Sequence, residues 1–213
     1  MRLRNVPGAK EKIEESPLCV KDPAEKKGKW ASLYPNPGPL EIEIGMGKGR
    51  FLMEKARRFP GVNFLGLELH ESVLVRAVQK LEEESLPNLL FLRENAEYIE
   101  DFFAPQEISK IYLNFSDPWP KDRHAKRRLT SGAFLARYDR LLPPGGVIEF
   151  KTDNLALFEF SLEEVKASPF ILEAYSHDLH NDEELSRGNI LTEYEARFSG
   201  QGNRICFLRA RKE

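Results

Sequence analysis

Cysteine is scarce in this 213-residue chain: Cys19 and Cys206 lie near opposite ends, with no second Cys or His at ligand spacing around either. A disulfide framework and a zinc site are therefore not expected. Histidine is scarce too. His70, His124, His177 and His180 have no partner at catalytic or metal spacing, so no metal is expected. Nothing reaches the roughly 18 consecutive apolar residues of a membrane helix, and the opening MRLRNVPGAKEKIEE is charged where a signal peptide is apolar. No membrane association is expected, and a cytoplasmic location is the default. A large net charge is also lacking, since 32 Lys+Arg stand against 34 Asp+Glu for a formal -2, so bulk charge does not make this a protein that coats nucleic acid. What remains, 41% hydrophobic and 31% charged, is an ordinary globular composition. A chain of this length buries about 70% of its unfolded surface, enough for a core without staples.

The charge is unevenly placed. Lys121, Arg123, Lys126, Arg127 and Arg128 put five cations into eight residues opposed only by Asp122, a local patch of the kind that binds phosphates. Residues 1–39 carry six prolines and no sustained period, which reads as an irregular N-terminal arm whose Arg2, Arg4 and Lys26-Lys27-Gly28-Lys29 are a solvated segment. Residues 40–213 read as one domain. Strands are expected at Leu40 to Ile44, Asn63 to Leu69, Asn88 to Leu92, Lys110 to Phe115 and Gly146 to Lys151. Helical spacing fills the intervals at Arg50 to Arg58, Glu71 to Glu84, Ala96 to Phe103 and Ser131 to Leu142; Val73, Leu74, Ala77, Val78 and Leu81 share one face. A helix over Ala156 to Ala167, a strand near Phe170 to Leu179, a helix from Thr192 and a final strand Arg204 to Ala210 follow. This alternation predicts an α/β fold with a mainly parallel, doubly wound sheet.

In open α/β sheets ligands bind beyond the carboxyl ends of the strands. The first end is Glu43-Ile44-Gly45-Met46-Gly47-Lys48-Gly49, where Gly45 and Gly47 permit a tight turn and close approach of a ligand to backbone. Its spacing is neither that of a dinucleotide fingerprint nor that of a P-loop, and the Glu43 carboxylate suits a ligand with a cationic group, such as the amino-acid end of S-adenosylmethionine. The second end places Glu68 about 20 residues on, where an ionised carboxylate accepts from paired ribose hydroxyls. At the third, Asn95 can accept from an adenine amino group and the Ala96 backbone N–H can meet a ring nitrogen. The fourth, Asn114-Phe115-Ser116-Asp117-Pro118-Trp119-Pro120, holds a carboxylate and an indole between two prolines and runs straight into the basic patch. Asp153 closes the fifth strand on the same rim, and Thr192 with Glu195 matches a capping box.

These blocks together, with Lys-Thr-Asp-Asn at 151–154 and Thr-Glu-Tyr-Glu at 192–195, resemble the bacterial tRNA (guanine-N7-)-methyltransferase family from the arm to the last strand. The resemblance implies a Rossmann-like class I methyltransferase fold, with a seven-stranded, mostly parallel sheet whose last strand is antiparallel and helices on both faces. It implies transfer of a methyl group from S-adenosylmethionine to N7 of guanine 46 in the tRNA variable loop. By the same resemblance Glu43, Glu68, Asn95 and Asp117, with the Gly45, Gly47 and Ala96 backbone, contact the methyl donor. Lys121, Asp153, Thr192, Glu193, Tyr194 and Glu195 line the guanine site, and the stretch Arg123, His124, Lys126, Arg127 and Arg128 meets RNA. One departure is Asn95, where the family often has Asp.

Guanine N7 carries an in-plane lone pair and needs no general base, so catalysis would rest on positioning and electrostatics. Asp117 is the expected catalytic residue. Asp117, Asp153 and Glu195 are the carboxylates that could favour charge developing on the ring and accept from the guanine N1–H and N2 amino group. Rival readings are an exocyclic-amine methyltransferase, disfavoured by Trp119-Pro120, a nicotinamide-dependent dehydrogenase, disfavoured by the glycine spacing, and a non-catalytic RNA-binding module. No obligate protein subunit is expected, and no feature decides between monomer and homodimer.

Overall fold

The computed structural model describes residues 6–213; Arg2 and Arg4 lie outside the described residues. Seven strands, β1 (Leu40–Ile44), β2 (Asn63–Leu67), β3 (Leu89–Leu92), β4 (Lys110–Asn114), β5 (Val147–Thr152), β6 (Phe170–Ser176) and β7 (Cys206–Lys212), form a sheet ordered β3-β2-β1-β4-β5-β7-β6. The chain divides into two compact units, one ending at Ala104 and one starting at Pro105.

In the first unit β1 pairs with β2 and β2 with β3, all parallel, with Ile42 opposite Leu65. Every residue of β2 is buried, which explains a run of Phe64, Leu65 and Leu67 without polar alternation: parallel strands are covered on both faces. Two helices follow the expected periods. α2 (Arg50–Arg58) buries Phe51, Leu52, Met53 and Ala56. α3 (Glu71–Glu82) buries Leu74, Val75, Ala77, Val78 and Leu81, with Val73 only half-buried. After β3 the chain does not form the single helix expected over Ala96 to Phe103. It makes a 3-10 turn, Ala96–Tyr98, whose first free amide is capped by the Asn95 side chain, and then one α-helical turn, α4 (Ile99–Phe102).

Residues 6–39 are more ordered than their composition suggests. A seven-residue helix, α1 (Ala9–Glu15), turns Ala9 and Ile13 inward and packs on α3. A single i,i+4 apolar pair is too short a signal for a periodicity argument, which needs a window of about 11–18 residues. Beyond it, Phe91 N donates to Leu18 O and Val20 N donates to Phe91 O, at 2.8 and 2.9 Å. These bonds cover the exposed edge of β3, where unpaired backbone would otherwise invite another strand. Trp30 is fully buried, donates its indole N–H to Phe102 O at 2.8 Å and stacks on Phe103.

In the second unit β4 and β5 are parallel, while β7 runs antiparallel to both β5 and β6, so the last strand is antiparallel, as the family resemblance implies. Three helices complete it: α5 (Gly132–Leu141), α6 (Leu155–Lys166) and α7 (Glu193–Ser199). The sixth strand stops at Ser176 because Leu179 enters a 3-10 turn, and the last begins at Cys206 rather than Arg204. Among the described residues no helix is long and apolar enough to cross a membrane.

Candidate active site

Three sequence-predicted residues of the first unit stand at the carboxyl ends of its three parallel strands. Glu43, in β1, is 2% exposed. The turn that follows it puts Gly45 and Gly47 at φ of 76° and 59°, and a Cβ at either would meet nothing within 4 Å. The open side of this loop is therefore backbone that a ligand can approach. Glu68 follows β2 and is buried; its Oε2 accepts from Gly47 N at 3.1 Å and its Oε1 from His70 N at 2.9 Å. Burial raises its pKa above the ordinary carboxylate value, against the backbone donors that lower it. A carboxylate offers about four acceptor positions, so Glu68 anchors the glycine loop and keeps capacity for hydroxyl donors.

A residue not singled out from sequence, Gly66, seats this loop. A Cβ there would stand 2.1 Å from Met46 Sδ and 3.0 Å from Leu52 Cδ1, so the absence of a side chain in β2 lets Met46 lie against the strand. The available signal was a lone glycine within an apolar strand, which marks close approach. Asn95 sits after β3 with Oδ1 accepting from Glu97 N at 3.0 Å and Nδ2 donating to Glu97 Oε2 at 3.2 Å. Its amide is thus held in one orientation, with Ala96 buried behind it.

The second unit holds a cavity of about 270 Å³ lined by Phe115, Asp117, Pro118, Thr152, Asp153 and Tyr194 among others. Asp117 lies at its mouth and is exposed. Phe115 and Trp119, on either side of Asp117, have φ of 54° and 42°, a left-handed conformation that costs about 1–3 kcal/mol at a residue with a side chain and tends to mark functional sites. Tyr194, on α7, packs its ring against Phe115 and Phe198 at 4.8 and 4.1 Å between centroids and donates its hydroxyl to Asp153 Oδ2 at 3.1 Å. Burial, with the Asp153 carboxylate second, raises the Tyr194 pKa. Asp153 Oδ2 also receives Asn203 Nδ2 at 3.4 Å. The cavity therefore has an aromatic wall and two carboxylates on one rim.

Glu195 does not join that rim. The structure places its side chain at 0% exposure beneath α7, with Oε2 2.6 Å from Lys151 Nζ and Oε1 receiving Asn189 Nδ2 at 2.7 Å; His180 Nε2 lies 2.9 Å from Oε1. Thr192 completes the capping box, its hydroxyl accepting from Glu195 N at 2.9 Å. Burial pushes the Glu195 carboxyl up, but the Lys151 charge and the surrounding hydrogen bonds outweigh it and hold the group below the usual range. A carboxylate with donors on both oxygens is not offered to a base, so Glu195 fixes the start of α7, and with it Thr192, Glu193 and Tyr194. His180, given no role from sequence, belongs to this cluster; partners 15 residues apart in a loop leave no spacing signal.

The basic stretch forms a 3-10 turn, Asp122–Arg127, headed by Lys121. Lys121, Arg123, Lys126 and Arg127 are exposed, and His124 is half-buried. The Arg127 guanidinium lies 5.0 Å over the Trp119 ring, and His124 meets that ring edge-on. Trp119 is therefore packed under the turn and not in the core. Arg128 departs from its neighbours, being half-buried and directed back at the Asp117 loop. Among the described residues no group of three His, Cys, Asp or Glu side chains could hold a metal ion.

Comparison with known proteins identifies the family. Residues 37–208 match the family model described as "Putative methyltransferase". A "tRNA (guanine-N(7)-)-methyltransferase" of Lachnoclostridium phytofermentans is 54% identical over the whole of this chain and 99% of its own length. Among solved structures, an antibiotic-related methyltransferase matches with a TM-score of 0.65 at 16% identity, covering 90% of this chain and 94% of that one. Phosphoethanolamine N-methyltransferase 2 of Haemonchus contortus, in complex with S-adenosyl-L-methionine, gives 0.55 at 16% identity, over 85% of this chain and 50% of that one. The fold is that of the class I methyltransferases, and the chain belongs to the tRNA (guanine-N(7)-)-methyltransferase family.

Proposed function

We propose that this methyltransferase transfers a methyl group from S-adenosylmethionine to N7 of guanine 46 in the variable loop of tRNA, acting in the cytoplasm as a monomer or homodimer. The observation that carries the reading is the second unit's cavity, where an aromatic wall of Phe115 and Tyr194 meets the carboxylates of Asp117 and Asp153. RNA bases are read when unstacked and held on aromatic faces, and a carboxylate accepts the paired N1–H and N2 amino donors that distinguish guanine from adenine.

The first unit fits the methyl donor in kind. Its glycine loop presents open backbone at Gly45 and Gly47, Glu68 retains acceptor capacity for ribose hydroxyls, and the buried Glu43 suits a cationic amino-acid end. Asn95 and the Ala96 backbone are assigned to the adenine. When bound, S-adenosylmethionine supplies an electrophilic methyl group on a positively charged sulfur. No residue of this chain has to take a proton, because N7 is unprotonated at neutral pH. Asp117 instead favours the positive charge that develops on the guanine ring, an electrostatic effect that costs no reorganisation when the carboxylate is already held in place. Asp153, fixed by Tyr194 and Asn203, orients the base. Lys121 lines the guanine site, and Arg123, His124, Lys126 and Arg127 meet the RNA backbone through charge and hydrogen bonding.

The test is transfer of labelled methyl to a tRNA transcript with guanine at nucleotide 46, beside the same transcript carrying 7-deazaguanine there. Label on the first alone supports the assignment. Equal label on both, or label on neither when donor and tRNA both bind, refutes it.

A further inference from the structure

The last cation of the basic stretch does not behave like the others. Arg128 follows the 3-10 turn as its C-cap, and its guanidinium donates Nε–H to Pro118 O and Nη2–H to Trp119 O, each at 3.1 Å. The guanidinium also lies over the Phe160 ring of α6, 4.3 Å from its centroid. Two parallel donors on a rigid fork thus hold two successive carbonyls, an arrangement a lysine cannot reproduce because its ammonium is a single point of charge.

Those carbonyls belong to the residues directly after Asp117. Trp119 is in the left-handed region at φ 42°, a conformation that persists only when its surroundings over-determine it. The surroundings are Arg128 on the backbone, and Arg127 and His124 on the indole. Pro118 and Pro120 remove further freedom. These constraints on the C-terminal side of Asp117 converge on one turn, and Arg128 ties that turn to α6.

We propose that Arg128 is a positioning residue for Asp117, clasping the Asp117-Pro118-Trp119 loop onto α6, and not one of the tRNA phosphate contacts. The inference rests on the proposed methyl transfer for its kinetic consequence, but the clasp itself is a property of the protein alone. It divides a stretch that reads as uniform in sequence: Arg123 and Lys126 act on affinity, and Arg128 acts on the rate of the bound complex.

The experiment compares Arg128→Lys and Arg128→Ala with Arg123→Ala and Lys126→Ala. It reads tRNA affinity as a function of salt, the single-turnover rate at saturating tRNA and donor, and hydrogen exchange at the hydrogen-bonded Phe115 and His124 amides that flank the loop, in the protein without ligands. Both Arg128 variants should keep the wild-type salt slope, lose on the order of ten- to a hundredfold in rate through a displaced Asp117, and exchange faster at those amides. Arg123→Ala and Lys126→Ala should each weaken binding and reduce the salt slope by about 0.7–0.9, with amide exchange in the Asp117 loop as in the wild type. Arg128→Lys decides the matter if Arg128→Ala fails to fold, since a phosphate contact survives that change and a clasp does not. A wild-type rate in Arg128→Lys, or a shallower salt slope in Arg128→Ala with unaltered amide exchange, overturns the proposal. If the wild-type protein transfers no methyl group to tRNA, the proposed function fails, and amide exchange in Arg128→Lys still tests the clasp.

Discussion

Replacing Glu195 with Gln removes one partner of a buried ion pair and should be among the most damaging changes available outside the apolar core. Lys151 Nζ and Glu195 Oε2 are 2.6 Å apart, with side-chain exposures of 5% and 0%, so the lysine left behind has little water to turn to. Its other acceptors include Ile190 O and Asn189 Oδ1, neutral groups at 2.9 and 3.2 Å. Breaking such a pair from one side costs about 3–5 kcal/mol. At this chain length a change of 1 kcal/mol moves the melting temperature by about 2–4 °C, which gives a fall of roughly 6–20 °C. The double variant Lys151→Met with Glu195→Gln should recover part of the loss, because the uncompensated charge is gone; that recovery is the coupling a double-mutant cycle measures. The pH dependence has a definite sign. The folded-state pKa of Glu195 is depressed, so its stabilisation is present above the unfolded value of about 4.3 and is lost as pH falls through the folded value. Urea denaturation at neutral and acid pH reads both effects: the wild type should lose stability in acid faster than Glu195→Gln. A Glu195→Gln protein within about 0.5 kcal/mol of wild type at neutral pH, with an unchanged acid limb, would refute the reasoning.

Three further outcomes are expected. Asp117→Asn should lower the single-turnover rate by about 10²–10³, the usual loss for one electrostatic contributor, while thermal melting stays near wild type; an unchanged rate removes Asp117 from the chemistry. Glu68 has a raised pKa, and protonation turns one of its acceptor oxygens into a donor, so S-adenosylmethionine affinity should fall as pH drops through that raised value, and calorimetric titration should show this dependence vanish in Glu68→Gln at a uniformly lower affinity. Gly66→Ala drives a methyl group into Met46 Sδ, displacing the glycine loop; donor binding should weaken more than tRNA binding, and Gly66→Ala combined with Met46→Ala should restore part of it.

The strands and long helices were readable from sequence because each carries a strong local period: the apolar runs of β1 to β5 and the α3 face at Leu74, Ala77, Val78 and Leu81 are both self-evident and self-sufficient. The helix at Ala9–Glu15 was not, since its inward face is two residues whose meaning comes only from α3 beneath them. The site divides the same way. Gly45, Gly47, Glu68, Asp117 and Asp153 are placed by the rule that parallel strands end where ligands bind, and the structure does bring them to strand ends. Sequence could not tell an acid that faces a cavity from one that faces inward, so Glu195 was grouped with Asp117 and Asp153, although Lys151, Asn189 and His180 enclose it. Arg128 looked like its neighbours for a similar reason: a run of cations does not show which guanidinium turns back on its own loop.

The most direct test of the central claim is the position and atom of the methyl group on tRNA after reaction with this protein and S-adenosylmethionine. Methylation at N7 makes a guanine reducible by borohydride and the chain cleavable by aniline at that nucleotide, which methylation of an exocyclic amine does not. The account predicts a single scission at nucleotide 46, appearing in proportion to incorporated label. Label without scission, or scission at another nucleotide, would contradict it.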